Sequence, residues 1–123
     1  MRYNKLKISS EATGKLRVIR QRTGLTPNIL CRLAAMLSME EGSVGAVRAP
    51  DENGTEFNAY TLTGEHEVVF FALLRFVEET AAGQTLPDEE LLARFRSHLH
   101  RGVATLLVRV KSPLDVARLV PAE

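Results

Sequence analysis

The residues best suited to binding chemistry lie in the stretch RQRTGLTPN, residues 20–28. Arg20 and Arg22 close one predicted helix, and Thr26 followed by Pro27 is a typical start for the next. A guanidinium group binds phosphate oxygens through paired hydrogen bonds, and the free N–H groups at a helix N-terminus attract anions. Two cations beside a helix start therefore predict an anion-binding corner.

The helix that leads into this corner carries cations on its outer side. Lys15 and Arg22 are seven residues apart and share one face, whereas Arg17 and Arg20 are three apart and adjacent. Apolar residues between them point toward the core. Because Lys and Arg bind phosphate independently of base sequence, the pattern favours contact with a nucleic-acid backbone. A solvated helix face is the alternative interpretation.

Charge is unevenly distributed along the 123-residue chain, although its net charge is only +1. Residues 1–35 hold eight basic residues and one acidic residue, while residues 36–123 hold eight basic and 14 acidic residues. This asymmetry indicates a basic face for a polyanion and an acidic remainder.

Composition narrows the class of protein. Apolar residues make up 45% and charged residues 25%, as in ordinary globular proteins. The longest apolar run, VVFFALL, is about half of what a bilayer requires, so no membrane span is predicted. A single Cys and an N-terminus without an apolar run predict a cytoplasmic protein.

Candidates for catalysis or metal binding are few. His98 and His100 are two residues apart and would face different sides of a helix. Cys31 could act as a nucleophile or sulfur carrier, but its apolar neighbours favour a buried structural thiol. We predict no catalytic residue, no metal and no cofactor.

Two arginines in apolar helices need partners. Arg75 has Glu78 or Glu79 within one turn. Arg32 has no partner nearby in the sequence, so its partner is left open between a subunit interface and nucleic acid.

Caps and glycines predict a mainly α, compact multi-helix domain spanning residues 1–123. Ser, Thr and Pro mark helix starts, and glycines mark most helix ends. Gly102 is expected to end or break the fourth helix, after which VATLLVRV forms a strand or a short helix. The predicted helices cover 10–22, 27–41, 64–82, 88–102 and 114–120.

The segment 43–62 has a different character. It contains the turn residues Pro50, Asp51, Asn53 and Gly54. Asn-Gly is a good hairpin dipeptide. A short hairpin around 46–61, with strands near 46–49 and 57–61, and an irregular loop both fit the pattern.

Two helices, the second and the third, are apolar nearly all round. A helix of this kind is buried on all sides, and a small chain has room for one at its centre. The other is expected to lie in a subunit interface, which predicts a homo-oligomer. Central packing of both helices in a monomer is the alternative.

Three stretches resemble one protein family. KLKISSEATGKLRVIRQRTGLTPNILCRLAAMLS, FNAYTLTGEHEVVFFALLR and HLHRGVATL cover about residues 5–110. They resemble DndE, the small component of the Dnd DNA phosphorothioation system. The junction TGLTPN with the following CRLA, and the segment YTLTGE, are the most specific parts.

The resemblance implies a mainly helical protein with a ribbon-helix-helix-like relation and no catalytic residue. It implies a tetramer that binds double-stranded DNA and prefers nicked DNA. The Dnd system replaces a non-bridging phosphate oxygen with sulfur. Sulfotransferase-like and ATPase-like subunits are the implied partners, and a separate cysteine desulfurase mobilises the sulfur.

Carried onto this sequence, the resemblance places the DNA contacts on the basic helix, its junction and an N-terminal arm. The rival interpretation is a scaffold whose basic face docks onto partner subunits without touching DNA. The implied DNA-binding residues are Lys5, Lys7, Lys15, Arg17, Arg20, Arg22, Gly24 and Thr26.

Overall fold

Helices account for most of the fold, as the sequence predicts. The computed structural model describes residues 3–119, and within them one small two-stranded sheet accompanies the helices. The elements in chain order are β1 (Lys5–Lys7), α1 (Ser10–Thr23), α2 (Pro27–Glu41), β2 (Glu56–Asn58), α3 (Ala59–Leu62), a 3₁₀ turn (Gly64–His66), α4 (Glu67–Ala82), α5 (Asp88–Arg109) and α6 (Pro113–Ala117).

Helix α1 begins and ends almost as its local signals predict. The Ser9 side chain accepts a hydrogen bond from the Ala12 N–H at 3.1 Å and so caps the helix start. Gly24 ends the helix with φ 75°, a left-handed conformation that favours glycine. Buried Leu16 and Ile19 fix which side of α1 faces the core.

Helix α2 is the central helix of the core, packed mainly on α5. Its start departs from the prediction in one respect. Thr26 occupies the capping position with extended backbone, but its side chain makes no capping hydrogen bond to the described residues. Pro27 is the first helical residue, and Gly42 ends the helix as predicted.

The predicted break of the fourth helix at Gly102 is wrong, because α5 runs through it to Arg109. Gly102 is required by packing and not by a turn. A Cβ atom at this position would collide with the carbonyl group and Cα of Ala34 in α2. Glycine therefore lets the two central helices approach closely, and residues 103–109 of the VATLLVRV stretch continue the helix.

Of the two alternatives for the segment 43–62, the hairpin around 46–61 is wrong, and an irregular loop precedes β2. Only Glu56–Asn58 forms a strand, and its antiparallel partner is β1, with Leu6 opposite Phe57. The Asn53-Gly54 turn instead packs against the residues between β1 and α1, where the Gly54 N–H donates to the Ile8 carbonyl at 2.8 Å. No hairpin forms because the exposed segment before β2 is held by contacts to distant elements.

The third helix starts later than predicted. Thr63, the residue directly before the predicted start and its expected cap, does not cap the helix. Its hydroxyl bonds to the Tyr3 hydroxyl at 2.8 Å, and a 3₁₀ turn follows. Asn58 caps the short α3 instead, accepting from the Thr61 N–H at 2.8 Å. The predicted end of α4 is confirmed, with Gly83 left-handed at φ 71°.

The last helix is shorter than the predicted 114–120. It covers Pro113–Ala117, and residue 120 lies outside the described residues. Over residues 3–119, the helices are all too short or too polar to cross a bilayer.

Candidate nucleic-acid interface

Helices α1 and α5 run in the same direction. Near the start of α1, the Ser9 hydroxyl bonds to His100 Nδ1 at 2.7 Å. Near its end, Arg22 reaches the carbonyl of Leu107 at 3.1 Å. The C-terminus of α1 therefore lies beside the C-terminus of α5.

Helix α2 runs in the opposite direction to α5. Ser38 of α2 bonds to His98 of α5 at 2.7 Å. Ala34 lies one turn before Ser38 in α2, and it packs against Gly102, which lies one turn after His98 in α5. Continuing this register brings the start of α2 to the last turns of α5. Three helix termini thus meet, and we call this region the junction end: the last two turns of α1, residues 24–26, the first turn of α2 and residues 107–111.

Two of the predicted cations at the junction end are open to solvent. Arg17 and Arg20 are exposed, and no carboxylate within residues 3–119 lies at ion-pair distance from either. They follow Leu16 and Ile19 in the sequence, so the buried pair orients both guanidinium groups outward.

Arg22 has a structural role that the sequence did not predict. Its Nη1 donates to the carbonyls of Leu107 at 3.1 Å and Val110 at 3.4 Å. These carbonyls lie in the last turn of α5 and at the residue that follows it, where a cation complements the helix dipole. Arg22 therefore fastens α1 to α5 as well as contributing positive charge to the junction end.

Three other predicted site residues lie away from the junction end. Lys15 pairs with Glu11 at 3.0 Å, and this hydrogen bond holds the pKa of Glu11 below its ordinary value. Lys5 pairs with Glu56 at 3.8 Å on the small sheet. Lys7, on the same strand, is exposed. The N-terminal arm is thus a paired strand at the opposite end of α1.

The junction itself presents polar backbone. Gly24 is exposed and left-handed, and Thr26 is exposed one residue before α2. The Thr26 carbonyl accepts the Leu30 N–H at 3.1 Å. The Asn28 and Ile29 N–H groups belong to the first turn, which has no intrahelical acceptors. They can meet an anion that approaches between α1 and α2.

Arg109 and Lys111 also lie at the junction end, and both are exposed. They are absent from the predicted site because the fourth helix is predicted to end or break at Gly102. A local signal was present: residues 91–114 contain no Asp or Glu, as is also true of residues 12–39.

Arg32 and Arg75 both find partners within the chain. Arg32 donates to the carbonyls of Leu62 at 2.8 Å and Thr61 at 3.0 Å, which ties α3 to α2. Arg75 pairs with Glu79 at 2.8 Å, so the predicted alternative Glu78 is the wrong member of that pair.

Glu78 instead anchors a buried hydrogen-bond chain. The Glu78 carboxylate accepts a hydrogen bond from His98 Nε2–H at 2.7 Å. Nδ1 of the neutral imidazole then carries no proton, so it accepts from the Ser38 hydroxyl at 2.7 Å. The Ser38 oxygen in turn accepts from the Arg101 Nε–H at 2.8 Å. Arg94 lies 2.9 Å from the same carboxylate. The chain is internal, so its Ser, His and Glu serve structure and not solvent-facing chemistry.

The pKa values in this chain fit that assignment. Burial is the main reason that the pKa of His98 lies below its ordinary value, and it keeps the imidazole neutral. Burial alone would raise the pKa of Glu78, but hydrogen bonds from Ser43, His98, the Val44 N–H and Arg94 hold it below its ordinary value.

Neither Cys31 nor the histidines form a reactive or metal-binding site in the described part of the chain. Cys31 is fully buried, and burial raises the pKa of its thiol to about 12, so the predicted structural role is confirmed. His98 and His100 face different neighbours, as their spacing predicts. Between residues 3 and 119, no cluster of three or more His, Cys, Asp or Glu side chains could hold a metal ion.

Comparison with known proteins identifies the family. The profile of the DndE family, described as DNA sulphur modification protein DndE, matches residues 5–113. The crystal structure of DndE from Escherichia coli B7A, involved in DNA phosphorothioation modification, has a TM-score of 0.67 and 25% identity, covering 86% of this chain and 100% of that one.

A crystal structure of a glycine-to-lysine mutant of DndE involved in DNA phosphorothioation shares the fold. Its TM-score is 0.71 at 24% identity, covering 86% of this chain and 99% of that one. No curated protein gives a significant match. Since the family profile spans nearly the whole chain and the fold agrees, this chain belongs to the DndE family.

Proposed function

We propose that this chain is a single-domain, non-catalytic DNA-binding subunit of bacterial DNA phosphorothioate modification. The junction end holds the sugar–phosphate backbone of double-stranded DNA. The observation that carries the proposal is the pair Arg17 and Arg20, exposed and without a carboxylate partner among the described residues, beside the open N-terminus of α2. The protein acts in the cytoplasm, without a cofactor, beside the other Dnd subunits.

The chemistry of the junction end suits phosphate. Arginine presents a planar fork of N–H donors that matches two phosphate oxygens. The first-turn N–H groups of α2 and the Thr26 hydroxyl add neutral donors at the positive end of a helix dipole. Such contacts position a protein on DNA without reading its sequence.

A nicked duplex is the preferred form in this proposal. A nick lets the backbone bend and separate locally, so phosphates on both sides of the break can reach one compact cationic surface. An intact duplex must be deformed to offer the same contacts, which costs free energy. The protein would thereby hold DNA in a form that the modification subunits can act on.

The first prediction concerns Arg17 and Arg20. Changing both to Gln removes two phosphate contacts and is expected to weaken binding to a nicked duplex by about tenfold or more at 0.15 M salt. The measurement is fluorescence-anisotropy titration. Arg22 is left unchanged, because its loss would also loosen the end of α5.

A matched control removes the same charge elsewhere. Asn53→Asp with Gln84→Glu lowers the net charge by two at exposed loop positions far from the junction end. Equal affinities for this control and for Arg17→Gln/Arg20→Gln would show that only overall charge matters, and would remove the proposed site.

The scaffold alternative remains open to the same experiment. The junction end would then dock onto an acidic surface of a partner subunit, which alone would contact DNA. Isolated protein that fails to bind any duplex, but still binds a partner subunit through Arg17 and Arg20, would favour the scaffold.

We also propose that the chain forms a homotetramer in which α4 mediates the pairing of two copies. Its outer side carries Val69, Leu73 and Phe76, spaced i, i+4, i+7, as in a helix-pairing seam. Phe76 is 70% exposed, and Val68 beside the seam is 80% exposed. Grooves of about 350 and 300 Å³ separate this seam from α2.

A second copy is the proposed occupant of this apolar seam. The seam carries no charge, so the same face of another copy can pack on it without burying an unpaired ion. Repeating the junction end on each copy would let weak phosphate contacts act together.

The second prediction tests this seam. Phe76→Ser is expected to shift the protein to a smaller assembly in sedimentation-velocity analysis, because it deletes the aromatic side chain of the seam. Val47→Ser, at a loop position that is 72% exposed, is the control and should leave the oligomer intact. An unchanged oligomer in Phe76→Ser would place the interface elsewhere.

A further inference from the structure

The cations of the described chain fall into two groups when their partners are compared. Most basic side chains lie within ion-pair distance of a carboxylate, including Lys5, Lys15, Arg48, Arg75, Arg94, Arg96, Arg101 and Arg118. The exceptions within residues 3–119 are Lys7, Arg17, Arg20, Arg22, Arg32, Arg109 and Lys111. Five of these seven belong to the junction end, so uncompensated positive charge is concentrated there.

We infer that Arg109 and Lys111 form a second phosphate-binding row for the same DNA, an inference that rests on the proposed function. Arg109 is the last residue of α5 and Lys111 follows it by two residues, beside the C-terminus of α1. Arg109 has no hydrogen-bond or ion-pair partner among residues 3–119, so no structural task accounts for it.

Helix-dipole compensation alone does not explain this second row. The carbonyl of Leu107 already accepts from Arg22 at 3.1 Å, and Lys111 Nζ donates to the same oxygen at 3.1 Å. Two cations thus converge on one acceptor, which leaves unused donors on both. Asp115 is already engaged: its carboxylate accepts from the Lys111 backbone N–H at 2.8 Å and lies 3.4 Å from Arg118.

The spacing of the two rows suits a duplex. Packed helices have axes about 8–10 Å apart, and DNA grooves are about 6–12 Å wide. The exposed arginines of α1 and the pair Arg109 and Lys111 can therefore contact phosphates on opposite strands across one groove. A surface that grips both strands would hold a nicked duplex together while one strand is interrupted.

The test compares Arg109→Gln/Lys111→Gln with the charge-matched control Asn53→Asp/Gln84→Glu in anisotropy titrations over a salt series. We expect about tenfold weaker binding to a nicked duplex at 0.15 M salt, and a slope of log K against log salt that is shallower by about 2 units. Arg109→Gln alone, which disturbs no described contact, should weaken binding about threefold and make the slope shallower by about 1 unit.

Two results would overturn the inference, and they are distinguishable. If wild-type protein binds DNA and both variants match the control in affinity and salt slope, the second row is absent while the proposed function stands. If wild-type protein binds neither intact nor nicked duplex, the proposed function itself fails and the inference falls with it.

Discussion

Gly102→Ala is expected to destabilise the protein by about 2 kcal/mol, although alanine is the better helix former by about 1 kcal/mol. The added methyl group would collide with the Ala34 backbone, and no side-chain rotation can relieve a backbone clash. Helices α2 and α5 would have to separate along the central packing surface. Urea denaturation monitored by circular dichroism measures the change in the free energy of unfolding.

Gly14→Ala is the matched control, since it makes the same change inside α1. A Cβ atom at Gly14 would meet no other heavy atom within 4 Å, apart from chain neighbours and its own helix. We expect a gain of about 0.5–1 kcal/mol from helix propensity alone. Gly102→Ala protein as stable as Gly14→Ala protein would mean that α2 and α5 do not depend on close contact here.

Glu78→Gln is expected to cost about 3 kcal/mol of unfolding free energy. The carboxylate is fully buried and accepts from Ser43 Oγ at 2.7 Å and from the Val44 N–H at 3.0 Å. It also balances the charge of Arg94. The neutral amide of Gln would leave the Arg94 charge poorly compensated. Its N–H group would also face the hydrogen-bond donors that the carboxylate now accepts from.

An exposed acid provides the comparison for Glu78. Glu65→Gln removes the same charge at a solvated position near His66, and we expect a change below about 0.5 kcal/mol. Equal stabilities of the two variants in urea denaturation would contradict the view that the Glu78 chain holds α4, α5 and the 43–45 turn together.

Local signals predicted the helix ends that depend on a single residue. Ser9, Gly24, Gly42 and Gly83 act through hydrogen bonds or φ values within one turn, so neighbouring sequence was enough. Gly102 is also a glycine, but it is needed for helix packing and does not end a helix. Its role depends on Ala34, 68 residues away in the chain, and no local pattern distinguishes a packing glycine from a helix-ending one.

The same limit explains the errors around the sheet and the buried acid. Strand β2 pairs with β1 across about 50 residues, and Glu78 finds Arg94 and His98 on another helix. Such partners are set by tertiary packing, which overrides the nearest available choice in the sequence. The prediction of a local Asn-Gly hairpin failed for this reason.

The candidate site divides along similar lines. Arg17 and Arg20 were predictable because the apolar spacing of α1 decides their direction. Arg22 looked equivalent in the sequence, but its guanidinium lies against carbonyls of α5. Arg109 could not be predicted as a site residue, because the sequence around Gly102 does not indicate that α5 continues past it. That continuation brings the last turn of α5 to the junction end.

The central claim is that the junction end itself binds the DNA backbone. Its most direct test is an anisotropy titration of the purified wild-type protein against intact and singly nicked duplexes of one sequence, over a salt series. We predict tighter binding to the nicked duplex and an affinity that falls steeply with salt, as expected when several phosphates are neutralised. Absence of binding to both duplexes would contradict the claim and assign the basic surface to a protein partner.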